Sequence, residues 1–386
     1  MRYKKLEDID LTKRKVLLRL DLNAPIQNGV VTNQERILRS LPTIHHILTQ
    51  GAPLIIMSHL GRPEENNIFQ EDFSLKPVVD VLGNLLNRTI PLYSLDELEQ
   101  LDRLDEICIV ENSRFYIGEK ANSSELSKRL SELADLFVMD AFATSHRAHA
   151  STTGVITFSK EACAGLLLDE ELNALSKVKN EVKNSVAVLG GAKISTKLNL
   201  IASLATSIDK VILGGGIANT CLAAQGYNIG KSLVEETMLN EAKEISKNPN
   251  IVIPQSVVVS KSPDDPSRIS SINEIADDEA IYDVSTDFLN GLRSLIEGAE
   301  TILWNGPLGF FEKEPFDRGT CRIADMIVSS EAFSVAGGGD TVSALNSVKV
   351  TKQFSYVSSA GGAFLEWLEG KKLPGIEAIK SSKRTI

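Results

Sequence analysis

The sequence predicts an α/β protein of two lobes with parallel sheets, and three observations lead there. Short apolar runs of strand length alternate with segments of helical periodicity, the pattern of βαβ units. At 386 residues the chain exceeds what one hydrophobic core usually organises, so two lobes is the natural count. The apolar runs also end differently: in arginine, histidine and carboxamide in the first half, and in glycine in the second. Ligands of open parallel sheets sit outside the carboxyl ends of the strands, so each half presents its own binding chemistry at one sheet edge.

In the first half the runs are VLLRLDLNAP (16–25), PLIIMSHLGRP (53–63), ICIVENSRF (107–115) and LFVMDAFATSHRAH (136–149), with helical periodicity over 33–49, 75–86 and 123–134. Asp21 and Asn23, two apart past a strand end, point to the same side and offer acceptors and donors to hydroxyl or carboxyl groups. Arg36 comes early in the next helix, His59 and Arg62 close the second run, Arg114 the third, and His146 with Arg147 the fourth. In a parallel sheet all of these converge on one edge. A lone arginine is ordinarily a surface or ion-pair residue, but several in matching topological positions make a polyanion site, because guanidinium forks fit carboxylate and phosphate bidentately. All five histidines lie in this half; His45 and His46 read as helix-surface residues, and no histidine joins a serine or cysteine nucleophile in a recognisable motif.

GLLLDEELNALSKVKNEVKN (165–184) is a long amphipathic segment between the halves, acidic in its first turns and lysine-rich toward its end, as the helix dipole prefers. It reads as a helical connector that bends as a hinge. The second-half runs are SVAVLGGAK (185–193), KVILGGGIA (210–218), TILWNGPLGFFE (301–312) and FSVAGGGDT (333–341), with helical periodicity over 196–207 and 232–246. In GGAKISTK (190–197) glycines let the backbone approach phosphate oxygens and the new helix offers free N–H groups. If that helix begins at Ile194, Lys193 and Lys197 emerge near one end on neighbouring positions. The spacing is not GxxxxGK[ST], so this is no P-loop. GGGDT (337–341) leaves a bare backbone nest for an anion, with Asp340 either an N-cap or a magnesium-side carboxylate. Glu312, past the WNGP turn, can accept hydrogen bonds from ribose hydroxyls.

Hydrophobic content of 42% and charged content of 24% are those of an ordinary globular protein, and a net charge of −10 argues against a nucleic-acid surface. Any phosphate site is therefore a local basic pocket. The four cysteines lie far apart with no CxxC pair, which fits a reduced cytoplasmic protein with inert thiols. The opening MRYKKLEDID has no apolar core of signal-peptide length, and no run approaches the ~18 to 20 apolar residues that span a bilayer.

RLDLNAP, SHLGRP, ENSRF, AFATSHRAHAS, GGAKISTK, GGGIANT, WNGPLGFFE, GGGDT and LEGKKLPG follow one another along the chain. With these motifs, in their order and approximate spacing, the chain resembles the phosphoglycerate kinase family along essentially its whole length. The resemblance implies two Rossmann-like lobes: a 3-phosphoglycerate-binding domain over 1–164 and a nucleotide-binding domain over 185–365. The connecting helix, 165–184, would lie between them, and a tail, 366–386, would return to the first. It implies a cytoplasmic monomer of glycolysis and gluconeogenesis, with no nucleic-acid or membrane partner, that exchanges a phosphoryl group between 1,3-bisphosphoglycerate and MgADP to give 3-phosphoglycerate and MgATP. By resemblance Asp21, Leu22, Asn23, Arg36, His59, Leu60, Gly61, Arg62, Arg114 and Arg147 hold 3-phosphoglycerate. Gly191, Lys193, Lys197, Gly214, Asn305, Glu312, Gly338, Gly339, Asp340 and Thr341 hold ATP or ADP, with Mg2+ near Asp340. Arg36, Lys193 and Gly361 serve the transfer itself. A carboxylate nucleophile, with a pKa near ~3.5, is already ionised at neutral pH, so no general base is required. Catalysis reduces to positioning and to neutralising the equatorial oxygens.

The chain departs from the family pattern in places. Ala143 stands for a usual glycine, Thr196 for an acidic residue, Tyr356 near a common histidine, and Ser359-Ala360-Gly361-Gly362 for Thr-Gly-Gly-Gly. If Ala360 adopts the left-handed backbone open to glycine it pays of order 1 kcal/mol, and Ala360→Gly then raises turnover.

Overall fold

The computed structural model describes residues 3–101, 103–104, 106–180 and 183–382, so 181–182 of the connector and 383–386 of the tail lie outside the described residues. Contacts divide it into two compact units: one runs to Leu172 and resumes at Lys372, the other is Asn173–Lys371. The connector expected over 165–184 brackets the first division, and the tail boundary expected at 365/366 lies a few residues before the second.

In the first unit, besides a small antiparallel pair of Ile26–Gln27 and Val30–Val31, the strands are β1 (Val16–Leu20), β2 (Leu54–Met57), β3 (Leu92–Tyr93), β4 (Ile107–Val110), β5 (Leu136–Asp140) and β6 (Ala162–Ala164). They form one parallel sheet in the order β3-β4-β2-β1-β5-β6. Every residue of β1, β2, β4 and β5 is buried, which is why these segments read as unbroken apolar runs: helices cover both faces of a parallel sheet. The helices Glu35–Thr49 and Lys76–Leu86 bury Ile37, Ile44, Ile47, Val78, Val79 and Leu82 in the same core as Leu18, Ile56 and Val138. In the tail, Pro374 opens a helix, Pro374–Ser381, as proline at the first position favours. Gly375 N donates to Ser145 O at 2.9 Å and Ser382 Oγ to Ala162 O at 3.4 Å, tying this segment to the first unit.

The second unit contains β7 (Ser185–Leu189), β8 (Lys210–Leu213), β9 (Ile251–Val252), β10 (Ser256–Ser260), β11 (Arg268–Ser271), β12 (Ala280–Val284), β13 (Thr301–Asn305), β14 (Phe333–Gly337) and β15 (Tyr356–Ser358). A parallel sheet runs β9-β8-β7-β13-β14-β15, with Trp304 fully buried in its core, and an antiparallel sheet runs β11-β10-β12. Two parallel six-stranded sheets bear out the expected fold class. The antiparallel sheet is additional to it.

Two helix boundaries differ from the periodicity. Over 232–246 only Leu239–Ser246 is α-helical. Ser232 Oγ instead accepts from Ile281 N at 2.7 Å, and the Glu235 carboxylate accepts from Ser195 N at 2.9 Å, so long-range partners hold this stretch out of the helix. The helix after GGAK starts at Leu198, not Ile194, because Ile194–Thr196 forms a single 3-10 turn.

The connecting helix runs Leu166–Asn180. Its entry is fixed by Asp140 at the end of β5, whose Oδ1 accepts from Leu168 N at 2.8 Å. Burial raises the pKa of this carboxyl to about 6 against the pull of its backbone hydrogen bonds. Gly165 sits against it: a Cβ there would meet Asp140 Cγ and Oδ1 at 2.4 Å. Gly165→Ala should therefore lower stability by about 2 to 3 kcal/mol through overpacking of a buried carboxyl. Urea denaturation reads this, and an unchanged midpoint would show that Asp140 can move aside.

Candidate active site

Two constellations lie at the carboxyl edges of the two parallel sheets. In the first unit, β1 leads into Asp21 and Asn23, β2 into His59–Arg62, β4 into Arg114, and β5, by way of the turn Phe142–Thr144, into His146–Arg147. Asn23 Oδ1 accepts from Gly61 N at 2.9 Å, and Arg36 Nη1 pairs with Asp21 Oδ2. Arg114 lies on the turn Ser113–Phe115, capped by Asn112 Oδ1, and its Nη1 donates to Gly61 O. Among the described residues Arg114 Nε is buried without a hydrogen-bond partner.

The electrostatics show how closely the cations gather. Burial first, then the nearby Arg147 and Arg19, pushes the Arg114 guanidinium down to about 10. His59 is held well below the ordinary imidazole range by burial and by Arg19, Arg114, Arg147 and Arg36. His149 falls to about 4 for the same reasons, burial leading. Like charges crowd here. The structure thus brings together Arg36, His59, Arg62, Arg114 and Arg147, the last of which donates from Nε to His146 Nε2 at 3.1 Å.

Sequence reasoning missed two members. Arg19, 1% exposed inside β1, donates from Nε to Ser151 Oγ at 3.2 Å and lies 3.2 Å from His59 Nδ1 through Nη2. Glu119, fully buried behind it, accepts from Ser151 N at 2.9 Å and Ser151 Oγ at 2.5 Å, and burial raises its pKa. The available signal was an arginine in mid-run, where a doubly covered strand admits a charge only if it is paired. Leu22 and Leu60 flank these polar residues. The side chains of Leu22 and Leu60 are buried in the apolar core, so only their backbones can face a ligand; Leu22 N already donates to Ser58 Oγ at 2.9 Å.

In the second unit the glycine turns stack on one another. Gly191 has φ +129°, Gly215 φ +61°, and a Cβ on Gly215 would meet Gly191 O at 2.8 Å. Gly214 is the N-cap of the helix Gly215–Ala224. Lys197 bends down across the end of β7, its Nζ donating to Gly190 O at 2.6 Å and Asn305 O at 2.9 Å. Burial lowers its pKa to about 8, opposed by the charge of Asp340. Lys193 stays exposed on extended backbone before the 3-10 turn, so the two lysines do not share a helix face. The turn is braced by Glu235 on Ser195, a contact no local pattern announced.

Gly338, φ +100°, is the N-cap of the helix Gly339–Ser347, so Asp340 is an exposed second residue and not the cap. Asn305 is buried: Nδ2 donates to Gly337 O at 2.5 Å, and Oδ1 has no partner among the described residues. The Thr341 hydroxyl is taken up internally, accepting from Gly306 N at 2.6 Å and donating to Gly337 O at 2.8 Å, so the exposed groups of this turn are Gly339 and Asp340. Beside these turns lies a cavity of about 530 Å³, bordered by Gly191, Gly215, Leu308, Phe310, Glu312 and Asp340 among others, within the range of small-molecule sites. Gly361, φ +53°, carries the positive φ of the last loop; Ala360 does not, and is buried with its N–H donating to Ser358 Oγ at 3.2 Å. The strain expected at Ala360 is therefore absent, and with it the reason for Ala360→Gly to raise turnover.

A cation-lined pocket stands on one parallel sheet, and glycine turns, one of them holding Lys197, border a cavity of small-molecule size on the other. Residues 6–371 match the model of the phosphoglycerate kinase family. The chain belongs to that family. It is 45% identical to the phosphoglycerate kinase of Francisella philomiragia, over the full length of both. The structure of phosphoglycerate kinase from Coxiella burnetii matches with a TM-score of 0.95 and 45% identity over 99% of this chain and 100% of that one. That of Pyrococcus horikoshii matches with a TM-score of 0.81 and 29% identity over 98% of each.

Phosphoglycerate kinases transfer a phosphoryl group between 1,3-bisphosphoglycerate and ADP in glycolysis, with Mg2+ accompanying the nucleotide. The residues present fit that ion. Among the described residues no cluster of three or more histidine, cysteine or carboxylate groups could hold a metal alone, while Asp340 offers one exposed carboxylate at a helix start. Magnesium commonly takes one or two carboxylates and completes its shell with substrate phosphates and water. No helix of the described chain is long and apolar enough to cross a membrane.

Proposed function

We propose that the basic pocket of the first unit holds 3-phosphoglycerate and that the glycine turns and cavity of the second hold MgATP or MgADP. Asp21 and Asn23 receive the hydroxyl and carboxyl end, while Arg36, His59, Arg62, Arg114 and Arg147, with Arg19 behind them, balance its charge. What supports this is the gathering of Arg36, His59, Arg62, Arg114 and Arg147 past the ends of separate parallel strands, with Arg19 3.2 Å from His59 and one buried carboxylate, Glu119, behind them. A multiply charged anion completes such a site. His59, depressed by burial and the same arginines, serves as a neutral hydrogen-bonding group.

On the nucleotide side the backbone at Gly338–Asp340 and Lys197 meet phosphate oxygens, Glu312 meets the ribose, and Asp340 meets the metal. Bound magnesium supplies charge neutralisation on the phosphates. Lys193 and the turn at Gly361 face the transferring group, where exposure leaves the Lys193 ammonium free to follow the negative charge. The acceptor carboxylate needs no base, so these residues only position and neutralise. A coupled assay for 3-phosphoglycerate-dependent ADP formation tests the whole reading. No ADP formation with both substrates saturating would sink it.

Lys197 supplies a pH prediction. Its pKa of about 8 lies below that of a free lysine, so the charged form that attracts phosphate is present below about 8 and is lost as pH rises through that value. ADP affinity should therefore fall several-fold between pH 7 and about pH 9.5. Lys197→Met should bind weakly at both ends and show a flat profile; an equally steep profile in this variant would assign the titration elsewhere.

A further inference from the structure

The cavity of the second unit is bordered largely by glycine and apolar side chains, but one wall carries Asn219, 4% exposed. It stands one turn beyond Gly215 on the helix Gly215–Ala224, on the face that Gly215 presents to the cavity. Its Nδ2 donates to Leu233 O at 3.2 Å. Turning the amide over would set carbonyl against carbonyl, so this bond decides which atom is left for a ligand. Within the described chain Oδ1 has no partner, yet it is not sealed from solvent, and so it opens into the cavity that Asn219 lines.

The ionisable groups of the cavity are engaged or exposed, Glu312 and Asp340 being exposed. Asp283 accepts on Oδ1 from Val284 N at 2.8 Å and on Oδ2 from Gly319 N at 2.6 Å. Lys231 is exposed, and after Lys261 it helps to lower the pKa of the Asp278 carboxyl. Phe310 borders the same cavity while 40% exposed, its backbone held by Phe310 N donating to Tyr282 O at 2.8 Å, so an aromatic side chain stands at the rim.

We propose that Asn219 selects adenine among purine bases: its Oδ1 accepts from the 6-amino group of a base whose face lies against Phe310. The proposal rests on the assignment of this cavity to the nucleotide. A 6-oxo purine would bring a second carbonyl oxygen up to Oδ1, leaving both without a donor. The stack on Phe310 does not discriminate, because every base has a π-face.

Isothermal titration of the full chain with ADP, IDP and GDP tests this, since IDP changes the 6-position and GDP adds a 2-amino group. IDP and GDP should both bind about tenfold more weakly than ADP, the cost of one lost hydrogen bond. Asn219→Leu should bring all three within about threefold of one another, and Phe310→Ala should weaken all three by about tenfold with their ratios kept. If Asn219→Leu does not fold, the series on the unmodified chain decides alone. IDP binding as tightly as ADP would overturn the proposal in favour of exclusion at the 2-position, and a preference for GDP would overturn it in favour of Lys231 as the reader. Equal affinities would overturn base selection and leave phosphoryl transfer standing, whereas no binding of any of the three would overturn the nucleotide assignment as well.

Discussion

Lys193→Ala should lower the turnover number by about a hundredfold to a thousandfold, the cost of removing one donor aimed at transition-state charge. Nucleotide affinity should change little by comparison. The structure separates the two lysines physically: Lys197 is bent onto the carbonyls of Gly190 and Asn305, whereas Lys193 is exposed and makes no such contact. An ammonium committed to the loop contributes equally before and during transfer. One that is free gains its partner when charge builds on the equatorial oxygens, so its loss appears in the turnover number. Steady-state kinetics with nucleotide titrations reads both quantities. A turnover number within threefold of the unmodified chain would remove Lys193 from the mechanism.

Arg114→Met should raise the Michaelis constant for 3-phosphoglycerate by about tenfold to a hundredfold, the worth of a hydrogen bond from a charged group. The nucleotide constant should hardly move, since the phosphate cradle and the cavity lie in the other unit. Methionine keeps the apolar stem and removes the charge, so packing loss stays small. One cation fewer also relieves the repulsion that lowers the pKa of Arg114, so the thermal midpoint without substrate should hold or rise while affinity drops. Equal damage to both substrates would place Arg114 outside the 3-phosphoglycerate pocket.

The legible parts of this molecule are those where a local physical rule meets a local segment. Doubly covered strands are mostly apolar, so β1, β2, β4, β5, β7, β8, β13 and β14 all stood out as runs. Backbone turns that approach one another need glycine, as at Gly191 and Gly215, so the phosphate turns stood out too. The strands β10, β11 and β12 did not: β11 carries one apolar residue, Ile269, and the apolar residues of β10 and β12 are bounded or interrupted by Ser256, Ser260 and Asp283. The start of the helix at Leu198 was hidden as well, since the brace of Glu235 on Ser195 joins residues forty apart.

The sequence by itself determined the fold class, the family and the chemical character of each sheet edge, because periodicity, glycine turns and strand-end charges are written in consecutive residues. Only the tertiary structure decided what each charged or polar group experiences. Arg19 joins the anion pocket because β1 lies between β2 and β5, which places Ser151 and Glu119 beside it. Lys197 titrates near 8, Asp340 is not a cap, and Ala360 is unstrained, for a common reason: desolvation, partner and backbone angle depend on atoms brought together from distant positions, and no spacing along the chain records them.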